Sequence, residues 1–226
     1  MNHMTTISGK DYHLGGPRTM SPDARPISIE DIAHHLSLIN RFTGATTRPY
    51  SVAEHSLLCS EIAYREGAAP GLQMAMLMHD AHEAYTTDLS SPAKVAVNCY
   101  SMGAGGVKAW SMFEDVHAHA VREHFNLLSA FSGYKREIRR IDLIALATER
   151  RDVTAYRHQA NDPWAVLNDG TSEAVQPVVW AQLGSPAREA LSWKHWRQAF
   201  LNRYAQLTVE VGSEFRRIVA GAGMIA

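Results

Sequence analysis

Residues Met74–Met78 are apolar at every position. A helix that is apolar all round has to be buried all round. The chain places His79 and Asp80 directly after this run, Glu83 four residues beyond His79, and Asp88 shortly afterwards. Ionisable groups emerging from a buried turn are costly unless they are paired or bind a metal. This stretch therefore constrains the fold more than any other. Other elements must cover one helix, and they must also bring partners for its charges.

The rest of the chain reads as helices that could do this. Ser28 precedes an acidic first turn, and Ile29, Ile32, Ala33, Leu36 and Ile39 recur at helical spacing. Ser51 and Glu54 form a capping-box pattern, and that helix runs to about Gly67. Pro70 suits the first turn of a third helix over roughly 70–85. Ser91-Pro92 restarts a short helix to about Asn98, and two long helical patterns cover roughly 107–127 and 134–157. A loop spans 158–184, and Ser185-Pro186 opens a last helix, kinked, to about 219. No internal repeat is visible, and no alternating pattern is long enough for a sheet. The expectation is an all-α helical bundle of about seven helices. Residues 1–27, rich in Gly, Pro, Ser and Thr, read as an irregular N-terminal arm packing on the body. Residues 28–157 form the core, and 158–226 a loop and C-terminal helical extension packing on it.

Composition excludes some functions. The 226 residues suit one domain, and 46% hydrophobic content can build a core. A formal net charge of -1 supplies no global basic field for nucleic acid or an anionic membrane. A small anionic substrate needs only a local positive cluster and stays possible. Cys59 and Cys99 make no disulfide framework and read as reduced core thiols. No apolar run reaches the ~18 residues of a membrane span, and the N-terminus has no signal pattern, so a cytoplasmic location is expected.

Two further helices offer partners for the opening stretch. His55 lies on the stripe Val52, His55, Cys59, Ile62, and Asp142 sits in the apolar run Ile141–Ala147. His55, His79, Asp80 and Asp142 could together hold one divalent ion. Mixed imidazole and carboxylate ligation suits Mn, Fe, Co, Ni or Zn, with positions left for water.

The set His55 … His79-Asp80 … Asp142 resembles the H…HD…D signature of the HD-domain phosphohydrolases. Leu38-Ile-Asn-Arg41, Ala53-Glu-His55-Ser56, His79-Asp-Ala-His-Glu83 and Asp88-Leu-Ser-Ser-Pro-Ala-Lys94 look like the bacterial 5′-deoxynucleotidase branch, related to phage enzymes acting on deoxynucleoside triphosphates. The resemblance covers about residues 28–157 and implies an HD-domain helical bundle. It implies that His55, His79, Asp80 and Asp142 are the ligands of one divalent transition metal ion. Glu83 would be the catalytic carboxylate near the attacking water, beside the metal-bound Asp80. Arg41 would orient the substrate phosphate, with Lys94 near it. Asp88 and Ser91 would contact the deoxyribose. Phe42 stands where that branch carries a tryptophan near sugar and base, and Ser90 where a proline is usual. Both departures bear on which nucleotide fits.

The implied activity is metal-dependent hydrolysis of nucleotides, foremost deoxynucleoside 5′-monophosphates with release of phosphate. The alternatives are a deoxynucleoside triphosphate triphosphohydrolase on the same site and a nucleotide-binding sensor without turnover. A structural metal domain is a weaker fit, since structural zinc sites usually close with Cys and His. The family resemblance also implies a homodimer. Other tempting residues read blandly. His82 points about 100° away from Glu83. His34 and His35 suit solvated or capping roles. His117, His119 and His124 do not share one helix face. Arg48 is a surface arginine or a second phosphate contact. Lys135, Arg136, Arg139 and Arg140 form a solvated face, and Trp180, Trp193 and Trp196 pack the tail on the body.

Overall fold

The caps legible in the sequence set where the first helices begin. Ser28 accepts a hydrogen bond from the Asp31 N–H at the start of α1 (Ile29–Leu38), and Ser51 accepts one from the Glu54 N–H at the start of α2 (Val52–Arg65). Pro70 opens α3 (Pro70–Met78), in the first turn, where its missing N–H costs no helical bond. The computed structural model describes residues 2–16 and 24–222, and its remaining helices are α4 (Glu83–Thr86), α5 (Ser91–Gly103), α6 (Ala109–His124), α7 (Leu128–Gly133), α8 (Lys135–Val153), α9 (Pro186–Glu189) and α10 (Trp193–Ala222). Among the described residues the chain is all-α apart from one small hairpin. No helix among the described residues is long and apolar enough to cross a membrane.

Helix α3 occupies the centre, packed against α2, α10, α8 and α7. Its side chains feed two apolar cores. Met74, Leu77 and Met78 join Ile32, Leu36, Phe200 and Leu207, while Leu72 and Met76 join Leu58, Ile62, Ile141 and Leu183. The all-round apolar character of Met74–Met78 thus matches cover on several sides.

Several boundaries differ from the expected ones. The helix expected over 70–85 stops at Met78, and four residues of turn intervene before α4. In that turn the N–H groups bond three residues back: Ala81 N to Met78 O, and Glu83 N to Asp80 O. The Met76 carbonyl, which a continuing helix would offer to Asp80, bonds the His79 Nδ1 instead at 2.7 Å. The two long patterns after residue 107 resolve into α6, α7 and α8, and the last helix is broken between α9 and α10.

The N-terminal arm is not irregular throughout. β1 (His3–Thr5) pairs antiparallel with β2 (Asp11–His13), strands too short to leave an alternating signature. The arm is held by Tyr12, which is fully buried, stacks on Tyr85 at 4.0 Å and bonds the His117 Nδ1 at 2.9 Å. Residues 17–23 of the arm lie outside the described residues.

The tail is tied in by charge as well as by apolar packing. Arg48 is not a surface arginine. It is buried, its guanidinium gripping the Glu54 carboxylate at 2.6 and 2.8 Å and the Leu183 carbonyl at 2.8 Å. Arg188 of α9 bonds the same carboxylate at 2.8 Å. Trp196 is buried, Trp193 meets His34 edge-on, and the Trp180 ring lies under the Arg65 guanidinium. Since Phe200 is fully buried, Phe200→Ala is expected to destabilise the protein by about 3–5 kcal/mol. Urea unfolding checks this; a loss under ~1 kcal/mol would mean that α10 is dispensable to the core.

Candidate metal centre and cleft

Three elements aim their donors at one point. His55 projects from α2, His79 and Asp80 from the turn after α3, and Asp142 from α8. The His55 and His79 Nε2 atoms lie 3.1 Å apart. The Asp80 Oδ2 is 3.1 Å from the His79 Nε2 and 3.5 Å from that of His55. The Asp142 Oδ1 is 3.5 Å from the His55 Nε2 and 3.9 Å from that of His79. Two atoms each about 2.1 Å from one ion are separated by roughly 3.0 Å at a right angle and roughly 3.4 Å at a tetrahedral angle. The separations of the two imidazoles from each other and from each carboxylate therefore fit ligation of a single ion.

The tautomers point the same way. His79 Nδ1–H donates to the Met76 carbonyl, and His55 Nδ1–H donates to the Glu149 Oε1 at 2.5 Å. In its neutral form each ring would present its Nε2 lone pair to the centre. Two lone pairs and two carboxylates facing one another repel unless positive charge lies between them. Burial and Arg41 oppose protonation of His55, but Cys59, Glu149 and Asp80 outweigh them and hold its pKa well above the ordinary imidazole value. Burial likewise opposes ionisation of Asp80, yet the His79 and His55 imidazoles keep its carboxyl well below the usual range. The buried groups here could hold a metal ion, and Cys59 is near enough to join His55 and His79 in doing so. Burial pushes the Cys59 thiol up to about 11, so it is the weakest donor of the group.

Glu149 was not singled out in the sequence. It lies on α8 seven residues after Asp142, two turns along and on the same face, which is the signal that could have found it. It is fully buried and also bonds the Arg41 guanidinium at 3.2 Å. Burial opposes its ionisation, but Arg41 and His55 hold its carboxyl below the ordinary range.

Arg41 stands at the floor of a cleft of about 640 Å³, its other guanidinium nitrogen 3.5 Å from the Asp80 carboxylate. Backbone bonds from Arg41 N to Tyr50 O and from Val52 N to Ile39 O close the loop between α1 and α2, which holds Arg41 beside α2. Phe42, Asp88, Ser91 and Lys94 line the same cleft. Phe42, Thr43 and Thr87 have positive φ, which is rare for aromatic and β-branched residues. The strain falls next to Arg41 and Asp88, and such strain clusters at functional sites.

Glu83 begins α4, so it is placed by a tight turn and not by a continuous helix from His79. Its Oε2 is buried with no hydrogen-bond partner. Burial, reinforced by Asp80 and Asp88, pushes its pKa well above the ordinary carboxyl value, against the pull of Lys94 and Arg41. Burial also raises Asp88, although Arg41 opposes this. Lys94 lies 2.5 Å from the Glu114 Oε1 and 3.6 Å from the Glu83 Oε1. His82, Glu83 and Glu114 are close enough to hold an ion, but the Lys94 ammonium already supplies the positive charge there. His117 is buried against Tyr12, and His35 bonds the Ala84 carbonyl, so both serve packing.

One wall of the cleft comes from the segment after α8, which ends at Val153 and not at the expected 157, so that Tyr156 lies outside the helix. Tyr156, Asn161, Trp164 and Val166 line it, and the Trp164 ring faces Phe42 at 6.2 Å between centroids.

No family model matches the sequence. The chain is 37% identical over 153 residues to Uncharacterized protein YfdR of Escherichia coli, a match spanning 68% of this chain and 73% of that one. It is 33% identical over 183 residues to Uncharacterized protein RCAP_rcc00048 of Rhodobacter capsulatus, spanning 76% of this chain and 85% of that one. The chain belongs to the family of these two proteins, whose names state no activity.

Glu149→Gln should keep the fold, by circular dichroism, and weaken divalent-metal binding roughly 10- to 100-fold in a chelator competition, because it removes the carboxylate that orients His55. Unchanged affinity would mean that the His55–Glu149 bond has no part in metal binding.

Proposed function

We propose that this protein is a metal-dependent phosphohydrolase acting on nucleotides, foremost deoxynucleoside 5′-monophosphates. One observation carries the reading: the His55 and His79 Nε2 atoms lie 3.1 Å apart and 3.1–3.9 Å from the Asp80 and Asp142 carboxylates, and Arg41, 3.5 Å from Asp80, lines a cleft together with Asp88 and Lys94. A divalent transition ion bound there would act as a Lewis acid and help a water ionise. The identity of that ion, among Co, Mn, Zn, Fe and Ni, is set by which the imidazole–carboxylate set takes up.

The chain's own residues then have separable tasks. Arg41 offers a planar fork to phosphate oxygens and, with Lys94, offsets charge that builds on phosphorus. Glu83 has a buried, unpartnered Oε2 and a raised pKa, which suit it to exchange a proton with the attacking water or the leaving oxygen. Asp88 accepts a hydrogen bond from the sugar, and Ser91 lies in the same turn. A binding-only sensor has no use for a buried carboxyl of this kind. The related reading, hydrolysis of a deoxynucleoside triphosphate, places the same groups on a longer phosphate chain.

A panel of nucleotides assayed with several divalent metals tests this. Expected are phosphate release from dAMP and loss of turnover with a chelator. Glu83→Ala is expected to keep its metal while kcat falls roughly 10²–10⁴-fold. Triphosphate release from dATP, with dAMP untouched, would select the related reading, and no turnover of any nucleotide with any metal would overturn both.

The 2′ position should also discriminate. Phe42 is held at φ 55° beside Arg41, where its ring can crowd a 2′-hydroxyl. kcat/KM is expected to be higher for dAMP than for AMP, and Phe42→Ala to narrow the difference. Equal values in the wild type would remove the deoxy preference and leave the phosphohydrolase reading in place.

A further inference from the structure

The wall of the cleft opposite Phe42 is built from residues outside the stretch that carries the metal donors, and it is held in place. Trp164 starts a 3-10 turn (Ala165–Leu167) anchored by Leu167, which is fully buried. The Trp164 N–H donates to the Asp169 Oδ2 at 2.7 Å, and that carboxylate is paired with Arg150, from the last turn of α8. The Arg150 guanidinium also lies over the Tyr156 ring at 4.5 Å and the Trp164 ring at 5.4 Å. Tyr156 meets Trp164 edge-on at 5.7 Å. The Trp164 indole is therefore fixed from behind, and it lines the cleft half-buried. The Arg41 guanidinium lies 5.5 Å from the Phe42 ring, and the Phe42 ring lies 6.2 Å from the Trp164 ring. A charged end, a ring flanking the middle and a flat apolar far wall match, in order, a phosphate, a sugar and a planar heterocycle.

We propose that Trp164, braced by Tyr156 and Arg150, is the stacking surface for the nucleobase, so that a segment outside the metal core selects base-bearing phosphates over bare sugar phosphates. This rests on the phosphohydrolase reading for its substrate class. Stacking of a base on an aromatic ring is sequence-tolerant, because every base has a π-face. Removing one such ring lowers affinity roughly 10- to 100-fold.

The experiment compares the metal-loaded full chain with Trp164→Ala and Trp164→Phe, using dAMP and 2-deoxyribose 5-phosphate. In Trp164→Ala, kcat/KM for dAMP relative to that for 2-deoxyribose 5-phosphate is expected to fall roughly 10- to 100-fold, chiefly through KM, and Trp164→Phe to recover most of it. An unchanged ratio in Trp164→Ala overturns the assignment. If the wild type hydrolyses neither compound, the monophosphate reading fails, and calorimetric binding of dAMP then decides the wall by itself. Weaker binding to Trp164→Ala than to the wild type supports it; equal binding, or none to the wild type, overturns it.

Discussion

Two imidazoles and two carboxylates, with their donor atoms 3.1–3.9 Å apart across each imidazole Nε2, need positive charge among them, which a proton on His55 or a bound cation can supply. Much of the architecture makes sense as the means of holding them there. The Met76 carbonyl and the Glu149 carboxylate each take the far N–H of an imidazole, which turns both Nε2 lone pairs inward. Arg41 spans Asp80 and Glu149 and keeps the surrounding negative charge from exceeding what the buried site tolerates. Buried charges persist only when paired in this way.

Helix α8 links the floor of the cleft to its wall. Asp142 and Glu149 lie on one of its faces, two turns apart, and serve the donor cluster. Arg150, the next residue, points elsewhere and braces Tyr156 and Trp164. One rigid element thus sets the distance between the charged end of the cleft and its aromatic wall. The same helix buries Ile141 and Ala145 against α2 and α3, so the core that supports the fold also fixes the site.

The mouth of the cleft is strained where its polar groups are. Among the described non-glycine residues with positive φ, Asn126 and Asn168 tolerate that conformation, whereas Phe42, Thr43 and Thr87 do not. The loop holding Phe42 and Thr43 is closed by backbone bonds at both ends, and Thr87 follows the last turn of α4. The surrounding structure offsets the local cost, and Arg41 and Asp88 are set by it.

By itself, the sequence determined the helical character, the caps at Ser28 and Ser51, and the burial of Met74–Met78. These follow from local periodicity and from hydrogen bonds that close within four residues. It also marked His55, His79, Asp80 and Asp142 as charges in apolar settings. Only the tertiary structure decided how they meet. The break after Met78 depends on the His79 ring competing for a carbonyl, which periodicity does not register. Glu149 and Glu114 become partners of His55 and Lys94 across 94 and 20 residues of chain, separations at which no local rule applies. The hairpin hides in strands too short to show an alternation, and it is held by Tyr12 reaching Tyr85 and His117. Trp164 sits in a segment without periodicity, and its place in the cleft comes from Arg150 and a buried Leu167, contacts that exist only once the chain has folded back on α8.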